Sequence, residues 1–347
     1  MRINALKLQN FRNHKSKSFT FKNTCIIIGK NTAGKTNILE AINILARGKS
    51  FRAENDRDTI NESHDFLKIE GEIEDVGDKT KLVAIFANQN ARFAKKFLVN
   101  NVARRQADFA SNFYTVLFTP EDIEIITDSP SLRRKYFDSV LYSSDKKYRV
   151  ALSSYEKALR QRNRMLYDMK NGKRTYRRED FGFWEEKLIG EGEIITNHRE
   201  EFVEFINNAK KDIFNFKIFY DKSVISLERI FKYHFQEQGA GMTLVGPQRD
   251  DFLFLFPNGK KISEFGSRGE QRLAILQTKI LEIEFLKSKT EVNPVLLLDD
   301  IFSELDDSNI HKVFEYIKNQ QTIITTTHRE FVPKEILKQK DLEIIEL

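Results

Sequence analysis

The chain has 347 residues, of which 40% are hydrophobic and 31% are charged, with a formal net charge of +6 and a pI of about 9.1. This composition excludes wholesale disorder, and the length predicts two domains or one large one. No apolar run is long enough for a transmembrane helix, and none resembles a secretory signal, so we expect a cytoplasmic protein. The single cysteine, Cys25, excludes an internal disulfide and a cysteine-based zinc site. The positive charge is a mild indication of a polyanionic partner.

The first 120 residues are predicted to consist mainly of strands. Residues 24–28 form a short continuous apolar run, which is typical of a strand buried on both faces. Apolar residues then recur at helical spacing between Ile38 and Leu45. Strand patterns return in residues 67–73 and 82–86, on either side of a Gly77-Asp78 turn.

Residues 121–239 have a different character. They are charged, poor in Gly and Pro, and helical in period, with a helix start indicated at Pro130. Strand signals return after Gly241 and include two further predicted buried strands, residues 295–298 and 322–326. We therefore predict an α/β lobe formed by residues 1–120 and 240–347, interrupted by a mostly helical inserted lobe at 121–239.

The strongest motif follows the first buried strand and precedes the amphipathic helix. It matches the phosphate-binding pattern G-x-x-x-x-G-K-[ST], in which glycines let backbone N–H groups face phosphate oxygens at a helix N-terminus. Lys35 is expected to reach the β- and γ-phosphates of a nucleotide, and the Thr36 hydroxyl to bind Mg²⁺. The residues of this predicted P-loop are Gly29, Lys30, Asn31, Thr32, Ala33, Gly34, Lys35 and Thr36.

A second motif is the apolar run 295–298 followed by Asp299 and Asp300. A buried strand that ends in an acid is the Walker B arrangement, in which the acid is delivered to the metal of the bound nucleotide. We predict that Asp299 contacts Mg²⁺, directly or through water. Asp300, the next residue, is then expected to polarise the attacking water as the catalytic base.

Three further features favour one branch of the P-loop proteins. Asp306 closes the sequence Ser303-Glu304-Leu305-Asp306 just past the paired acids, and His328 follows the strand 322–326, where it could sense a γ-phosphate. Ser267, Gly269 and Glu270 form a turn at the start of a long helical pattern. That turn is either another anion site or an ordinary helix cap.

The inserted lobe is unevenly basic. Between residues 131 and 180 Lys and Arg clearly outnumber Asp and Glu, and tyrosines are interleaved among them. We predict contacts with DNA phosphates rather than with base edges, because nothing in the region is typical of a base-reading module. The candidate contact residues are Arg160, Arg162, Arg174, Arg177 and Arg178.

In chain order these motifs resemble those of the ATP-binding-cassette superfamily: P-loop, signature turn, Walker B, D-loop and switch histidine. Within it the chain resembles the RecF family of bacterial recombination mediators, over nearly its whole length. The segments outside the ATPase core discriminate best; they are residues 117–122, 129–134, 159–163 and 246–251. Three positions depart from the family pattern: Thr32 replaces a usual Gly, Gln248 a frequent His, and residues 268–270 vary the signature turn.

The resemblance implies an ABC/SMC-type ATPase head with a mixed sheet and an inserted second lobe. It implies an ATP-dependent homodimer in which residues 267–270, with Asp306, close over ATP bound to the other subunit. It further implies weak DNA-dependent ATP hydrolysis with Mg²⁺, and binding of duplex DNA and duplex/single-strand junctions. The role implied is in DNA replication and recombinational repair, where RecF-family proteins help to load RecA with RecO and RecR.

Other functions remain open from the residues. A structural head of the SMC type would need long coiled coils between the Walker motifs, and no sustained heptads are present. A nuclease would need a further cluster of metal-binding acids, for which Asp250 and Asp251 are the compact candidate. A nucleotide kinase is disfavoured by the signature turn and the D-loop.

Overall fold

The computed structural model describes residues 1–89, 92–173, 175, 177–303, 320–338 and 341–347. The chain divides into two compact units: the first is Met1–Asp122 with Lys279–Leu347, and the second is Ile123–Thr278. The second unit thus extends beyond residue 239, where strand signals return in the sequence. It does so because a strand inside the helical region, Lys217–Asp221, pairs with a strand that follows it, Asp251–Leu255.

The first unit contains a parallel sheet with the strand order β13-β3-β12-β11-β8, in which every neighbouring pair is parallel. Two strands, β11 and β12, are buried along their whole length, as the sequence predicted. The strands are β3 (Thr24–Ile28), β8 (Thr115–Phe118), β11 (Val295–Asp299), β12 (Thr322–Thr326) and β13 (Leu342–Glu346).

The same unit contains a six-stranded antiparallel sheet with the order β2-β1-β4-β5-β6-β7. Its strand β4 alternates buried and more exposed residues, which is the pattern of a strand with one face on a core. They are β1 (Arg2–Phe11), β2 (His14–Thr20), β4 (Phe66–Asp75), β5 (Asp78–Gln89), β6 (Arg92–Val99) and β7 (Val102–Arg104). The α/β class is thereby confirmed, with parallel and antiparallel strands in separate sheets.

Helix α1 (Lys35–Arg47) lies between the two sheets and joins their cores. Its apolar side chains, including Ile38, Ile42 and Leu45, belong to one cluster with side chains from both sheets. The helix starts at the P-loop, so this packing fixes the loop to the centre of the unit. The unit also contains the short helices α2 (Gln106–Phe109) and α11 (Lys334–Leu337).

The second unit is mostly helical, as its sequence predicted, and α4 begins at Pro130. Its two longest helices, α5 and α6, pack along each other. Strands β9 (Lys217–Asp221) and β10 (Asp251–Leu255) form an antiparallel pair. The helices are α3 (Glu124–Thr127), α4 (Pro130–Ser144), α5 (Lys146–Lys170), α6 (Arg178–Asn208), α7 (Leu227–Lys232), α8 (His234–Ala240) and α9 (Ile262–Phe265); α10 (Arg268–Thr290) contains the boundary between the units.

None of the helices in the described part of the chain combines the length and apolarity needed to cross a membrane.

Candidate functional site

The parallel sheet brings the two predicted phosphate and metal motifs together. The P-loop follows β3, the paired acids follow β11, and β12 lies between these two strands. Because all three strands are parallel, their carboxyl ends share one edge, where ligands bind in open α/β sheets. The site is therefore assembled from segments that are more than 250 residues apart in the chain, such as Thr36 and Asp299, separated by 263 residues.

The P-loop has two residues in left-handed backbone conformation. Gly34 has φ of +98°, and a Cβ added there would lie 2.7 Å from side-chain atoms of Asn13 and His14. A side chain at this position is thus excluded both by conformation and by space. Thr32 has φ of +76°, a conformation that a β-branched residue adopts only under strain. This strain is the structural consequence of a β-branched residue at this position of the loop.

The Lys35 side chain folds back over the loop. Its Nζ donates hydrogen bonds to the carbonyl oxygens of Gly29, at 2.6 Å, and Lys30, at 3.1 Å. Burial lowers the pKa of Lys35, and the nearby Asp300 and Asp299 carboxylates oppose this shift. The ammonium group is therefore held at the mouth of the loop between carbonyl oxygens, where phosphate oxygens can replace them as partners.

Thr36 and Asp299 meet directly. The Thr36 hydroxyl lies 2.9 and 3.1 Å from the two carboxylate oxygens of Asp299, and Thr325 Oγ1 donates to Asp299 at 2.5 Å. Burial raises the pKa of Asp299, while the hydrogen bonds from Thr325 and Thr36 lower it. A hydroxyl and a carboxylate side by side are the hard oxygen ligands that Mg²⁺ prefers, so these residues fit a magnesium ion bound to nucleotide phosphates.

Asp300 differs from its neighbour in backbone conformation. It has φ of +48°, and its N–H points to Thr325, whose carbonyl and hydroxyl oxygens lie at 3.2 and 3.1 Å. This turn ends β11. Asp300 is half-buried, and its carboxylate opposes the effect of burial on the pKa of Lys35.

His328 lies two residues beyond the end of β12, at the same edge of the sheet. Its exposed ring packs edge-on against Phe331, with ring centroids 5.4 Å apart. The P-loop is linked to this strand, because the Gly29 N–H donates to the Thr326 carbonyl at 3.3 Å. The position of His328 in the chain thus places it next to the P-loop strand.

The signature turn belongs to the second unit and forms a capping box at the start of α10. Ser267 Oγ and the Ser267 N–H each lie 2.8 Å from Glu270 Oε2, and the Glu270 N–H donates back to Ser267 Oγ at 3.3 Å. These bonds lower the pKa of Glu270. Gly269 is exposed, with open space where a Cβ would be. Of the two interpretations left open by the sequence, the structure shows the helix cap, and the anion site stays a prediction.

Two predicted site residues, Asp306 and Arg174, lie outside the described residues.

The sequence did not single out the tip of the β1–β2 hairpin, which lies against the P-loop. Asn13 Nδ2 donates to the Thr32 carbonyl at 3.4 Å, and His14 Nε2 lies 3.2 Å from the Gly34 carbonyl. Asn37, directly after the P-loop, donates to Asn13 Oδ1 at 2.8 Å. The signal available was the polar run Arg12–His14 between two strand patterns, and nothing local connects that run to the P-loop.

Among the candidate DNA contacts, Arg162 does not fit the prediction. Its side chain is 1% exposed and donates to Glu237 at 2.7 Å, to Thr243 at 2.9 Å and to Glu185 at 3.2 Å. A guanidinium enclosed by two carboxylates has no face left for a phosphate, so Arg162 is a core residue. By contrast, Arg160, Arg177 and Arg178 are exposed, and the ion pair of Arg160 with Glu156 is long, at 3.8 Å.

The acids considered for a nuclease site are also internal. Asp250 is fully buried and accepts hydrogen bonds from Arg199 at 2.6 Å and Tyr220 at 2.5 Å. Asp251 forms a two-pronged pair with Arg133 at 2.6 and 3.1 Å. Both carboxylates are therefore occupied by arginines, which argues against a second metal site at these residues.

Comparisons with known proteins agree with this geometry. The family model described as "RecF/RecN/SMC N terminal domain" matches residues 2–342. "DNA replication and repair protein RecF" from Oenococcus oeni is 35% identical over 97% of this chain and 96% of that protein. The protein of the same name from Geobacillus sp. is 34% identical over 98% of this chain and 96% of that protein. A solved structure of the recombination mediator protein RecF with ATPrS, in the RecFOR pathway, has a TM-score of 0.87 and 30% identity, and covers 96% of this chain and 94% of its own. The chain belongs to the RecF family of RecF/RecN/SMC ATPases.

Proposed function

We propose that this protein is an ATP-dependent DNA-binding protein of replication and recombinational repair. ATP binds the P-loop with Mg²⁺ held by Thr36 and Asp299, and two copies associate head to tail on ATP. The dimer binds duplex DNA and duplex/single-strand junctions in the cytoplasm and helps to load RecA together with RecO and RecR. Slow, DNA-dependent hydrolysis of ATP then releases the DNA.

The observation that carries this proposal is the contact between Thr36 and Asp299 at 2.9 Å, next to Lys35. This contact joins the end of β11 to the start of α1, and it places oxygen ligands next to the buried Lys35 ammonium. Mg²⁺ bound there would neutralise phosphate charge during hydrolysis. RecF relatives solved with ATP and with ATPrS support the same ligand for this chain.

Roles in hydrolysis are assigned by position. Asp300 follows the metal ligand in the chain, and its carboxylate opposes the effect of burial on the pKa of Lys35, so we assign it to the attacking water beside the phosphates. His328, at the end of the neighbouring strand β12, is assigned to the γ-phosphate. The turn Ser267, Gly269 and Glu270, with Asp306, is assigned to the nucleotide of the partner copy, since a capped helix N-terminus with an exposed glycine allows close approach of an anion.

The DNA surface is assigned to the exposed arginines of the second unit. Arg160 lies on the exposed face of α5, while Arg177 and Arg178 lie where α6 begins. Arg174, from the same basic segment of the sequence, remains a candidate. Contacts of this kind neutralise phosphates and carry no base sequence information.

The test is light scattering of the purified protein with and without ATP, and with gapped DNA. We expect a monomer without ATP and a dimer with it, and we expect Ser267→Arg to bind ATP yet stay monomeric. Ser263→Arg changes an exposed serine four residues earlier, on α9; this variant is the matched control and should dimerise.

Lys35→Ala should fail to bind ATP in calorimetry, because it removes the cation aimed at the phosphates. Normal ATP affinity of Lys35→Ala would contradict the nucleotide site, and normal dimerisation of Ser267→Arg would contradict the shared one.

A further inference from the structure

Helix α1 contains a carboxylate that none of the motifs explains. Glu40 is completely buried, yet it accepts hydrogen bonds from Arg12 Nη2 at 2.6 Å and Nε at 2.9 Å, and from Ser50 Oγ at 2.5 Å. Arg52 lies 3.7 Å from the same carboxylate. Burying a charge is costly unless it is paired and hydrogen-bonded, and a two-pronged arginine pair has the most demanding geometry. The arrangement therefore fixes Arg12 in one orientation.

Arg12 is itself held in an unusual conformation. It has φ of +52°, and its third donor group, Nη1, binds the Asp58 carbonyl at 2.9 Å. Its carbonyl accepts from Asn61 Nδ2 at 2.6 Å. A non-glycine residue in the left-handed region persists only when its surroundings determine it. Glu40 supplies the charge partner in that set of contacts.

The residues directly after Arg12 are those that contact the P-loop. Asn13 and His14 reach the carbonyl oxygens of Thr32 and Gly34, at 3.4 and 3.2 Å. Burial lowers the pKa of His14. The N–H groups of a P-loop must face the phosphates, and its carbonyl groups must then face away. The hairpin tip provides donors for two of those carbonyl groups.

We propose that Glu40 is a positioning residue for nucleotide binding. By fixing Arg12, it holds the hairpin tip against the P-loop and keeps the loop, including the strained Thr32, in its binding conformation. Glu40 touches neither nucleotide nor metal and acts through Arg12, Asn13 and His14. This inference rests on the proposed ATP site, and it adds the residue that sets the affinity of that site.

The expected effect follows from preorganisation. If only a fraction of the molecules holds the competent loop, the apparent Kd rises by the inverse of that fraction. For Glu40→Gln we expect the competent fraction to fall to about one tenth, which raises the Kd for ATP and the KM about tenfold. The kcat at saturating ATP should stay within about twofold, because bound nucleotide restores the same loop.

The matched control is Glu282→Gln. Glu282 is also a buried carboxylate near α1, but it pairs with Arg47, at 3.4 Å, at the opposite end of that helix from the P-loop. Both variants remove a buried negative charge from the same unit, and both should lower its thermal stability. Only Glu40→Gln should change the Kd for ATP.

A double-mutant cycle tests whether Glu40 acts through the hairpin tip. Asn13→Ala removes the contact with the Thr32 carbonyl and should also raise the Kd. If Glu40 acts through the hairpin tip, Glu40→Gln combined with Asn13→Ala should be little worse than the stronger single variant. Fully additive losses would overturn the proposal, and so would an unchanged Kd in Glu40→Gln.

A milder variant keeps the test decisive if Glu40→Gln does not fold. Arg12→Lys retains the charge but loses the two-pronged geometry, so it should raise the Kd in the same direction. An unchanged Kd in Arg12→Lys would then overturn the proposal. Failure of the wild-type protein to bind ATP would instead refute the proposed function, so the two failures are distinguishable.

Discussion

The nucleotide site of the first unit and the interior of the second unit use buried charge in opposite ways. At the P-loop, the partners of Lys35 are carbonyl oxygens of the loop itself, and the Asp299 carboxylate accepts hydrogen bonds, among the described residues, from hydroxyl groups alone. In the second unit, Arg162 lies between two carboxylates, and Arg199 binds Asp138 at 2.7 Å and Asp250 at 2.6 Å. Charges with weak internal partners are available to a ligand, whereas charges that are fully paired hold the fold together. The partner set, rather than the residue type, distinguishes a site from a core.

The largest effect is expected where the first unit performs chemistry. Asp300→Asn keeps the shape of the side chain and removes its charge, so ATP hydrolysis should fall by about 10²–10⁴-fold, the usual contribution of a positioned general base. ATP binding and ATP-dependent dimerisation should persist, because they depend on Lys35, Thr36 and Asp299. A phosphate-release assay with parallel light scattering measures both.

The comparison variant is Asp299→Asn, which should weaken Mg²⁺-dependent ATP binding itself. If Asp300→Asn hydrolyses ATP at the wild-type rate, the catalytic role belongs to another residue.

An intermediate effect is expected from the paired charges of the second unit. Arg162→Leu leaves Glu185 and Glu237 buried without their cation, and it should lower the free energy of unfolding by about 3–5 kcal/mol. Arg160→Leu, two residues earlier on the exposed face, should change it by less than about 1 kcal/mol. Urea unfolding followed by circular dichroism compares the two.

In DNA binding we expect the reverse order: Arg160→Leu should have the larger effect and Arg162→Leu the smaller. Loss of one phosphate contact reduces the slope of log K against log[salt] by about 0.9, and only Arg160→Leu should show it. A slope unchanged in Arg160→Leu would move the DNA surface away from this face of α5.

The smallest effect concerns the strain at Thr32. Thr32→Gly relieves the left-handed conformation and should raise the free energy of unfolding by about 1 kcal/mol. Ala33→Gly is the control: Ala33 has no positive φ, so added chain freedom should lower stability instead. Thermal unfolding of both variants without nucleotide gives the comparison, and equal shifts of the same sign would show that strain at Thr32 is not significant.

The local motifs of the nucleotide site could be read from the sequence. The P-loop, the buried strands and the order of Asp299 and Asp300 depend on short-range patterns: an apolar run, a turn of glycines and a helical repeat. The α/β class follows from those patterns, whereas the RecF family was identified by resemblance; both are confirmed. The start of α4 at Pro130 was equally local, because proline fixes the first turn of a helix.

Tertiary structure decided which polar residues face a ligand. Arg160 and Arg162 lie on the same basic helix, and no local signal shows which of its faces is covered. Glu237, which accepts a hydrogen bond from the buried Arg162, lies 75 positions further along the chain. The hairpin tip reaches the P-loop across a separation of about 20 residues, and Glu40 reaches Arg12 across 28. Such contacts arise only when separate elements pack together, since a sequence pattern records the period of one element and not the identity of its neighbour.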